Sequence, residues 1–189
     1  DLHWSSINWY ANNKQRFTPP TQANVKLVSE DPEELVINGE LDAYVAPRPL
    51  DIQKSSKNRV LRPLINNHVE VEKKYFETSG IYPINHCVMI HHDILAKNPE
   101  IGYSLFKAYS KSKEKALKRK LGATLLPWVD RQWSEVIDIF NGDPYPFGLT
   151  DINRKNVQKL VEYLHEQKLI ENQIKIDDLF TDDSIKWSE

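Results

Sequence analysis

Along the first 50 residues the apolar positions follow a strand-like period, then a helix-like period, then a strand-like period again. Residues 24–28 are typical of a short strand, and residues 41–46 alternate between apolar and polar side chains. The stretch DPEELVING between them carries helix signals: Asp31 as N-cap, Pro32 in the first turn and Gly39 as the stop. This order predicts parallel pairing of the two strands through a right-handed crossover.

Helical periodicity dominates the second half of the chain. We predict helices over residues 65–79, 98–121, 126–140 and 151–170. The terminal stretch KIDDLFTDD is predicted to dock through Leu179 and Phe180, and residues 1–23 are predicted to be a loop with room for one short strand. The fold class predicted from this order is α/β with a helical C-terminal part.

The stretch GIYPINHCVMIHHDIL, residues 80–95, is typical of a buried strand, because apolar residues fill most of it and turn formers flank it. A histidine in the middle of such a strand, His86, is most often a core residue with its polar atoms satisfied. The alternative is that the strand passes a cleft and His86 faces a ligand, where an imidazole can transfer a proton near neutral pH.

Composition and charge exclude several function classes. The 189 residues carry a net charge of -2, so no strong overall field attracts the chain to nucleic acid or to anionic lipid. Its longest apolar runs are far shorter than the roughly 20 residues of a membrane span. We interpret the basic run in the predicted helix 98–121 as a solvated face, because no aromatic residues interleave with it; the run comprises Lys111, Lys113, Lys115, Lys118, Arg119 and Lys120. The sequence therefore predicts no nucleic-acid partner and no membrane partner.

The start of the chain and its single cysteine are informative about the parent polypeptide and its cellular compartment. The only methionine is Met89 and the chain begins at Asp1, so we expect it to be part of a longer polypeptide. One cysteine, Cys87, cannot form an internal disulfide, which fits a reducing compartment, and we predict a cytoplasmic protein.

Arg48 is the candidate anion-binding residue. It lies between two prolines just after the second predicted strand, at the edge of an open α/β sheet where ligands bind. A guanidinium pairs with a carboxylate through two parallel hydrogen bonds. The alternative is an ordinary exposed loop arginine.

Motifs for other chemistry are absent from the sequence. His86 and His92 would lie about 20 Å apart on a strand, too far to share one metal ion. The chain has no HExxH, CxxC, GxSxG or glycine-rich phosphate loop. We therefore predict no metal site.

Several motifs in order resemble the C-terminal half of the 4,5-dihydroxyphthalate decarboxylases. They are GELDAYVAPRP, GIYPINHCVMIHHDILAKNP, LPW, NGDPYPFGL and NRKNVQKLVEYLHEQKLI, and the likeness extends from about Gly39 to Phe180. The resemblance implies a type II periplasmic-binding-protein-like fold, with an incomplete two-lobe architecture in this chain. Residues 1–80 would be an α/β segment of the second lobe. Residues 81–189 would hold a crossover strand, starting near Tyr82, and C-terminal helices that pack toward the first lobe.

The resemblance also implies a reaction: loss of one carboxylate from 4,5-dihydroxyphthalate to give protocatechuate and carbon dioxide, a step of aromatic catabolism, without an organic cofactor. In this reading His86 is the candidate catalytic acid. Arg48 would hold the retained carboxylate, and Tyr82, Asn85 and Tyr145 would complete the substrate site. Trp128 and Phe147 are further candidate walls for the ring.

Two other functions remain open at the level of sequence. One is a binding protein for a small anion, without catalysis, which is a common role of this fold. The other is a related enzyme acting on a different carboxylated substrate, because the PINHCV stretch around His86 is less uniformly apolar than the resemblance leads us to expect. The two enzymes would act on a small carboxylate, and the binding protein would take a small anion.

Overall fold

The computed structural model describes residues 3–12, 18–120 and 128–189 of the chain. These residues form a mixed α/β structure that is mainly helical. The α-helices are α1 (Pro32–Ile37), α2 (His68–Ser79), α3 (His92–Lys97), α4 (Ile101–Lys120), α5 (Val129–Phe140) and α6 (Asp151–Glu166), and the strands are β1 (Trp9–Asn12) and β2 (Val25–Val28). Short 3-10 turns include Asp51–Gln53 and Ile176–Leu179. The predicted α/β class is confirmed at this level of detail.

The two strands pair in parallel, with Trp9 opposite Val25 and Asn12 opposite Val28. The predicted strand at residues 24–28 is confirmed, and β1 occupies the region where one short strand was expected. The predicted strand over residues 41–46 is wrong: residues 43–46 are irregular, and Val45 is exposed. Alternating polarity favours a strand only where a partner is present, and β2 takes its parallel partner from β1, which precedes it. The predicted crossover around α1 is therefore also wrong.

Helix α1 begins and ends as its sequence predicts. The Asp31 side chain accepts a hydrogen bond from the Glu33 backbone N–H at 2.9 Å, and Pro32 occupies the first turn. Gly39 follows the helix with a φ of 78°, a conformation that glycine adopts without steric cost. Local signals were sufficient here because every group that caps this helix lies within the same short stretch.

The longer helices also match their predicted positions. Helices α2 and α5 lie within the predicted ranges, and α6 begins at Asp151 as expected but ends four residues early, at Glu166. Helix α4 starts at Ile101, whose N–H donates to the Asn98 carbonyl. Its predicted last residue, Leu121, lies outside the described residues, as does Pro127 of the LPW motif. No helix within the described ranges is both long and apolar enough to cross a membrane.

The predicted buried strand over residues 80–95 is wrong. Residues 80–91 contain no helix, strand, turn or bend, and α3 begins at His92. Most of the segment is exposed, including Met89 at 87%, whereas Ile81 is buried. The apolar composition that favours a strand is present, but within the described residues no neighbouring strand pairs with it. The predicted crossover strand is thus not formed, and the assignment of residues 81–189 to a lobe stays a prediction.

The chain divides into two compact units. The first comprises residues 1–71 and 163–172, and the second comprises residues 72–162 and 173–189. The first unit contains β1, β2, α1 and the loop that bears Arg48. The second contains α3, α4, α5 and most of α6, and its buried apolar side chains include Ile81, Val161 and Ile176.

The C-terminal segment docks within the second unit, although not through Leu179. Leu179 is 47% exposed, whereas Ile176 is buried, so the prediction for Leu179 is wrong. The Trp187 ring packs on Tyr103 and Phe106 of α4, with centroids 5.6 and 5.7 Å apart. Gly102 makes room for this ring, because a Cβ there would lie 2.9 Å from its Cη2. A tryptophan thus anchors the segment over a glycine of the helix.

Candidate functional site

The loop that carries Arg48 is held by two buried carboxylates of the first unit. Glu33, in the first turn of α1, accepts hydrogen bonds from the backbone N–H groups of Leu50 at 2.9 Å and Asp51 at 2.7 Å. The Asp51 side chain is in turn almost fully buried, with the residue 1% exposed, and accepts from the N–H groups of Val60 and Leu61. These four hydrogen bonds fix the backbone at residues 50–51, shortly after Arg48, and at residues 60–61.

Arg48 itself is exposed, in an irregular stretch between Pro47 and Pro49. The predicted sheet edge beside it does not form, because the strand that was to end there is absent. What positions Arg48 instead is the Glu33 carboxylate, which fixes the backbone two and three residues further on. Its role as an anion clamp stays a prediction.

The environment of Asp51 makes the stability of the first unit depend on pH. A hydrogen bond from the Lys54 ammonium and others from the Leu61 and Val60 N–H groups hold the pKa of the Asp51 carboxyl below its ordinary value of 3.8, although burial opposes them. A depressed folded-state pKa means that the carboxylate stabilises the fold fully above the unfolded pKa. This contribution is lost as the pH falls through the folded pKa.

We therefore expect the free energy of unfolding to fall on acidification below about pH 4. Asp51→Asn should make this decline less steep, because the amide does not titrate. Lys54→Met should have a smaller effect in the same direction, because it removes the hydrogen bond from the ammonium, the largest cause of the lowered pKa of Asp51. Chemical denaturation between pH 2 and pH 6 measures the slope. An identical slope for the parent and for Asp51→Asn would show that Asp51 does not carry the effect.

An aromatic cluster in the second unit contains two of the predicted site residues. The Tyr82 ring packs edge-on against Phe140, with centroids 5.1 Å apart and planes at 88°, and lies 6.0 Å from the Tyr145 ring. Phe140 also contacts Phe76 of α2, with centroids 4.3 Å apart. The end of α5 therefore supplies an apolar wall for Tyr82, whose ring plane lies at 59° to that of Tyr145.

A hydrogen bond with the Tyr145 side chain raises the pKa of Tyr82, and partial burial raises it further. A raised pKa favours the neutral form of the Tyr82 phenol. Tyr82 therefore stays a neutral phenol near neutral pH.

Tyr145 is held by a turn that several polar groups fix. Its N–H donates to the Asp143 carboxylate at 2.8 Å, and its carbonyl accepts from the Lys113 ammonium at 3.0 Å. Lys113 also bonds Asp143 at 2.5 Å and pairs with the Glu189 carboxylate. Its ammonium lies 4.4 Å from the centroid of Phe147, the predicted ring wall. Asp143 thus binds the backbone N–H of Tyr145, and Lys113 binds its carbonyl.

Asn85 and His86 lie in the extended segment that leads away from Tyr82, and both are exposed. The interpretation of His86 as a buried core residue is wrong, because the segment that carries it is exposed and does not form part of a sheet. Exposure leaves the imidazole accessible to a ligand, and its predicted role as proton donor is untested by this placement.

The two other histidines of this stretch have a different setting. His91 is the N-cap of α3, and its Nδ1 accepts from the Asp93 N–H at 3.3 Å. His92 is the first residue of that helix, with a side chain that is 91% exposed. Among the described residues, no three His, Cys, Asp or Glu side chains gather as a metal ion would require.

No protein-family model matches the chain, and no curated protein is significantly similar to it.

The structure therefore brings together one pair of the predicted site residues, Tyr82 and Tyr145. Asn85 and His86 lie in the same unit, on the segment that starts at Tyr82, whereas Arg48 belongs to the first unit. Trp128, another predicted wall, is exposed in a left-handed conformation at the start of α5.

Open grooves on α4 involve other residues. One, of about 420 Å³, is lined by Pro99, Glu100, Tyr103, Asp183, Lys186 and Trp187, and another, of about 570 Å³, by Lys107, Ser110, Lys111, Glu114 and Glu189. None of the five predicted site residues lines either groove.

Sequence reasoning missed the supporting residues around the tyrosines. Lys113 was assigned to a solvated helix face, yet its side chain is only 15% exposed. Phe140 was seen only as part of an amphipathic helix. The one available signal was the Asp-Pro-Tyr-Pro spacing, in which an aspartate two residues before Tyr145 can accept from its backbone. No local pattern connects Lys113, which lies more than 30 residues upstream.

Proposed function

We propose that the chain is part of a decarboxylase of a dihydroxylated aromatic dicarboxylate, converting 4,5-dihydroxyphthalate to protocatechuate and carbon dioxide, on a type II periplasmic-binding-protein-like fold. Two things support the proposal. The first is the ordered set of motifs between Gly39 and Phe180. The second, on which it mainly depends, is the contact between the Tyr82 and Tyr145 rings, with the Phe140 ring packed edge-on against Tyr82.

The phenol pair suits such a substrate for two physical reasons. A neutral phenol can both donate and accept, so it can bind the adjacent hydroxyls of a catechol ring. It also avoids the repulsion that a tyrosinate would exert on a doubly charged dicarboxylate, and the raised pKa of Tyr82 keeps it neutral. The Phe140 ring adds an apolar surface near the tyrosines that favours an aromatic ligand.

The reaction assigns a task to each predicted residue. The ring hydroxyl para to the departing carboxylate pushes electron density toward the carbon that bears it, and the His86 imidazolium donates a proton to that carbon. The bond to the carboxylate then breaks, its electron pair restores the aromatic ring, and carbon dioxide leaves. In this scheme Tyr82 and Tyr145 bind the hydroxyls, and Asn85 adds a polar contact. That Arg48 holds the carboxylate that stays remains a prediction of the resemblance.

The test is an assay for product. The purified chain, and any longer polypeptide that contains it, is incubated with 4,5-dihydroxyphthalate, and protocatechuate and carbon dioxide are quantified. Related carboxylated catechols and the monohydroxylated phthalates are assayed in parallel to define the substrate. Absence of turnover on every member of this panel by the longer polypeptide would reject the enzyme reading.

The fixed, exposed loop of Arg48 favours a second candidate, a small-anion binding protein without catalysis. Its signature is saturable binding of an aromatic dicarboxylate with no product. For either candidate we expect Arg48→Gln to raise the dissociation constant about tenfold or more, because a charge-assisted bidentate contact is lost. Isothermal titration measures this, with Lys57→Gln, an exposed cation of the same loop region, as the matched control. Equal affinities for the parent and Arg48→Gln would remove Arg48 from the site.

A further inference from the structure

Lys113 stands apart from the other lysines of the basic run in α4. Its side chain is 15% exposed, whereas that of Lys118 is 73% exposed and pairs with Glu114 one helical turn earlier. A partly buried ammonium is costly unless it is paired and hydrogen-bonded. Lys113 meets this requirement with two carboxylates and a backbone carbonyl, all from residues at least 30 positions away.

The partners of Lys113 converge on one short turn, residues 143–147. Asp143 accepts both from Lys113 and from the Tyr145 N–H, so it bridges the ammonium to the tyrosine backbone. Glu189 accepts both from Lys113 and from the Phe147 N–H at 3.2 Å. The ammonium is therefore the centre of a network that fixes the turn on both sides of Tyr145.

An isolated β-bridge near the C-terminal end of the chain supports the same turn. Gly148 pairs with Ser188 in an antiparallel bridge, and the Leu149 N–H donates to the Trp187 carbonyl at 3.1 Å. Gly148 has a φ of 88°, and a Cβ there would collide with the Trp187 backbone. The close backbone approach places Glu189 where it can reach both Lys113 and Phe147.

We propose that Lys113 is a positioning residue, which holds the Tyr145 side chain against that of Tyr82, whose ring centroid lies 6.0 Å away. It acts through Asp143 and the Tyr145 carbonyl and does not touch the phenol. The consequence for substrate handling rests on the proposed function, in which the tyrosine pair binds the ring hydroxyls. The positional role itself does not.

A double-mutant cycle tests the positioning role without substrate. Tyr145→Phe is expected to lower the folding equilibrium constant about fivefold in the parent, because one hydrogen bond of the phenol pair is lost. In the Lys113→Met background the same change should cost less than about twofold, because the hydroxyl is no longer held in place. Lys113→Arg, which keeps a cation and its donors, should restore most of the parent cost. Equal costs of Tyr145→Phe in all three backgrounds would overturn the proposal.

Asp143→Asn provides a second route if Lys113→Met folds poorly. It keeps the size of the side chain and weakens the grip on both Lys113 and Tyr145, so it should also reduce the cost of Tyr145→Phe. Lys118→Met is the matched control, since this exposed lysine of the same helix forms an ion pair with Glu114, one helical turn away. We expect Lys118→Met to leave the fivefold cost of Tyr145→Phe unchanged. A reduced cost with Lys118→Met would indicate a general effect of helix charge and count against Lys113.

In a protein that turns over, Lys113→Met should raise KM for 4,5-dihydroxyphthalate at least fivefold with a smaller change in kcat, because the loosened tyrosine binds the hydroxyls less well. If the cycle shows coupling but no substrate is turned over, the positioning role stands and the proposed function fails. If turnover is found without coupling in the cycle, the function stands and Lys113 has no positioning role.

Discussion

Replacing His86 with glutamine is expected to lower kcat for decarboxylation about 100-fold, with little change in KM. Glutamine retains a polar side chain of similar length but cannot donate a proton to a ring carbon, and general acid catalysis contributes on the order of 10² to 10⁴ in rate. His86 is exposed, so the substitution should leave the fold intact. Single-turnover measurement of protocatechuate formation, with circular dichroism as the check on folding, gives the result.

His92→Gln is the matched control for this experiment. His92 lies at the end of the same segment and is highly exposed, and it is not the residue that caps α3. We expect its variant to keep parent activity. A His86→Gln enzyme that turns over within twofold of the parent would exclude this imidazole as the proton donor, and the exposed segment would then serve binding or packing.

Glu33→Gln should lower the free energy of unfolding by about 2–3 kcal/mol, because two hydrogen bonds to a charged acceptor are disrupted. The carboxylate accepts from two consecutive backbone N–H groups, Leu50 and Asp51, with one oxygen for each. An amide of the same shape can accept only one of them and presents its own N–H₂ to the other, which leaves a donor unsatisfied near a buried site. Urea denaturation monitored by tryptophan fluorescence measures the loss.

Glu34→Gln is the control, because Glu34 is the next residue of α1 and is exposed. Its cost should stay within about 0.5 kcal/mol. If the Arg48 loop binds a carboxylate, Glu33→Gln should also weaken that binding, although it removes no contact to the ligand. A Glu33→Gln protein as stable as the parent would mean that the loop is held by other interactions.

Local signals predicted five of the six described helices, with α3 assigned to a strand instead, and they predicted the strands poorly. The caps of α1 and the apolar spacing of α2, α4, α5 and α6 are encoded within a few turns, so residue patterns were sufficient to find them. A strand needs a partner from elsewhere, and the patterns at residues 41–46 and 80–91 favoured strands for which the described residues provide no such partner. The β1–β2 pairing was not predicted, because nothing in either short stretch specifies the other.

The residues of the candidate site were likewise predicted only in part. Tyr82 and Tyr145 were selected from the sequence through the resemblance, and the structure places their rings together in one unit. The groups that hold them, Phe140, Asp143 and Lys113, were not selected, since their roles arise from contacts across tens of residues. For Arg48 the sequence indicated the exposed loop but not the two buried carboxylates that order it.

By itself the sequence determined where five of the six described helices lie and that the chain is mixed α/β, and it led to the hypothesis of a site for a small aromatic acid. The tertiary structure decided which of the candidate residues are in contact, that the Lys113 side chain is largely buried, and that the segment around His86 is exposed. The physical reason is range: capping and periodicity act over a few residues, whereas strand pairing, burial of a charge and contact between two rings depend on chain segments that only folding brings together.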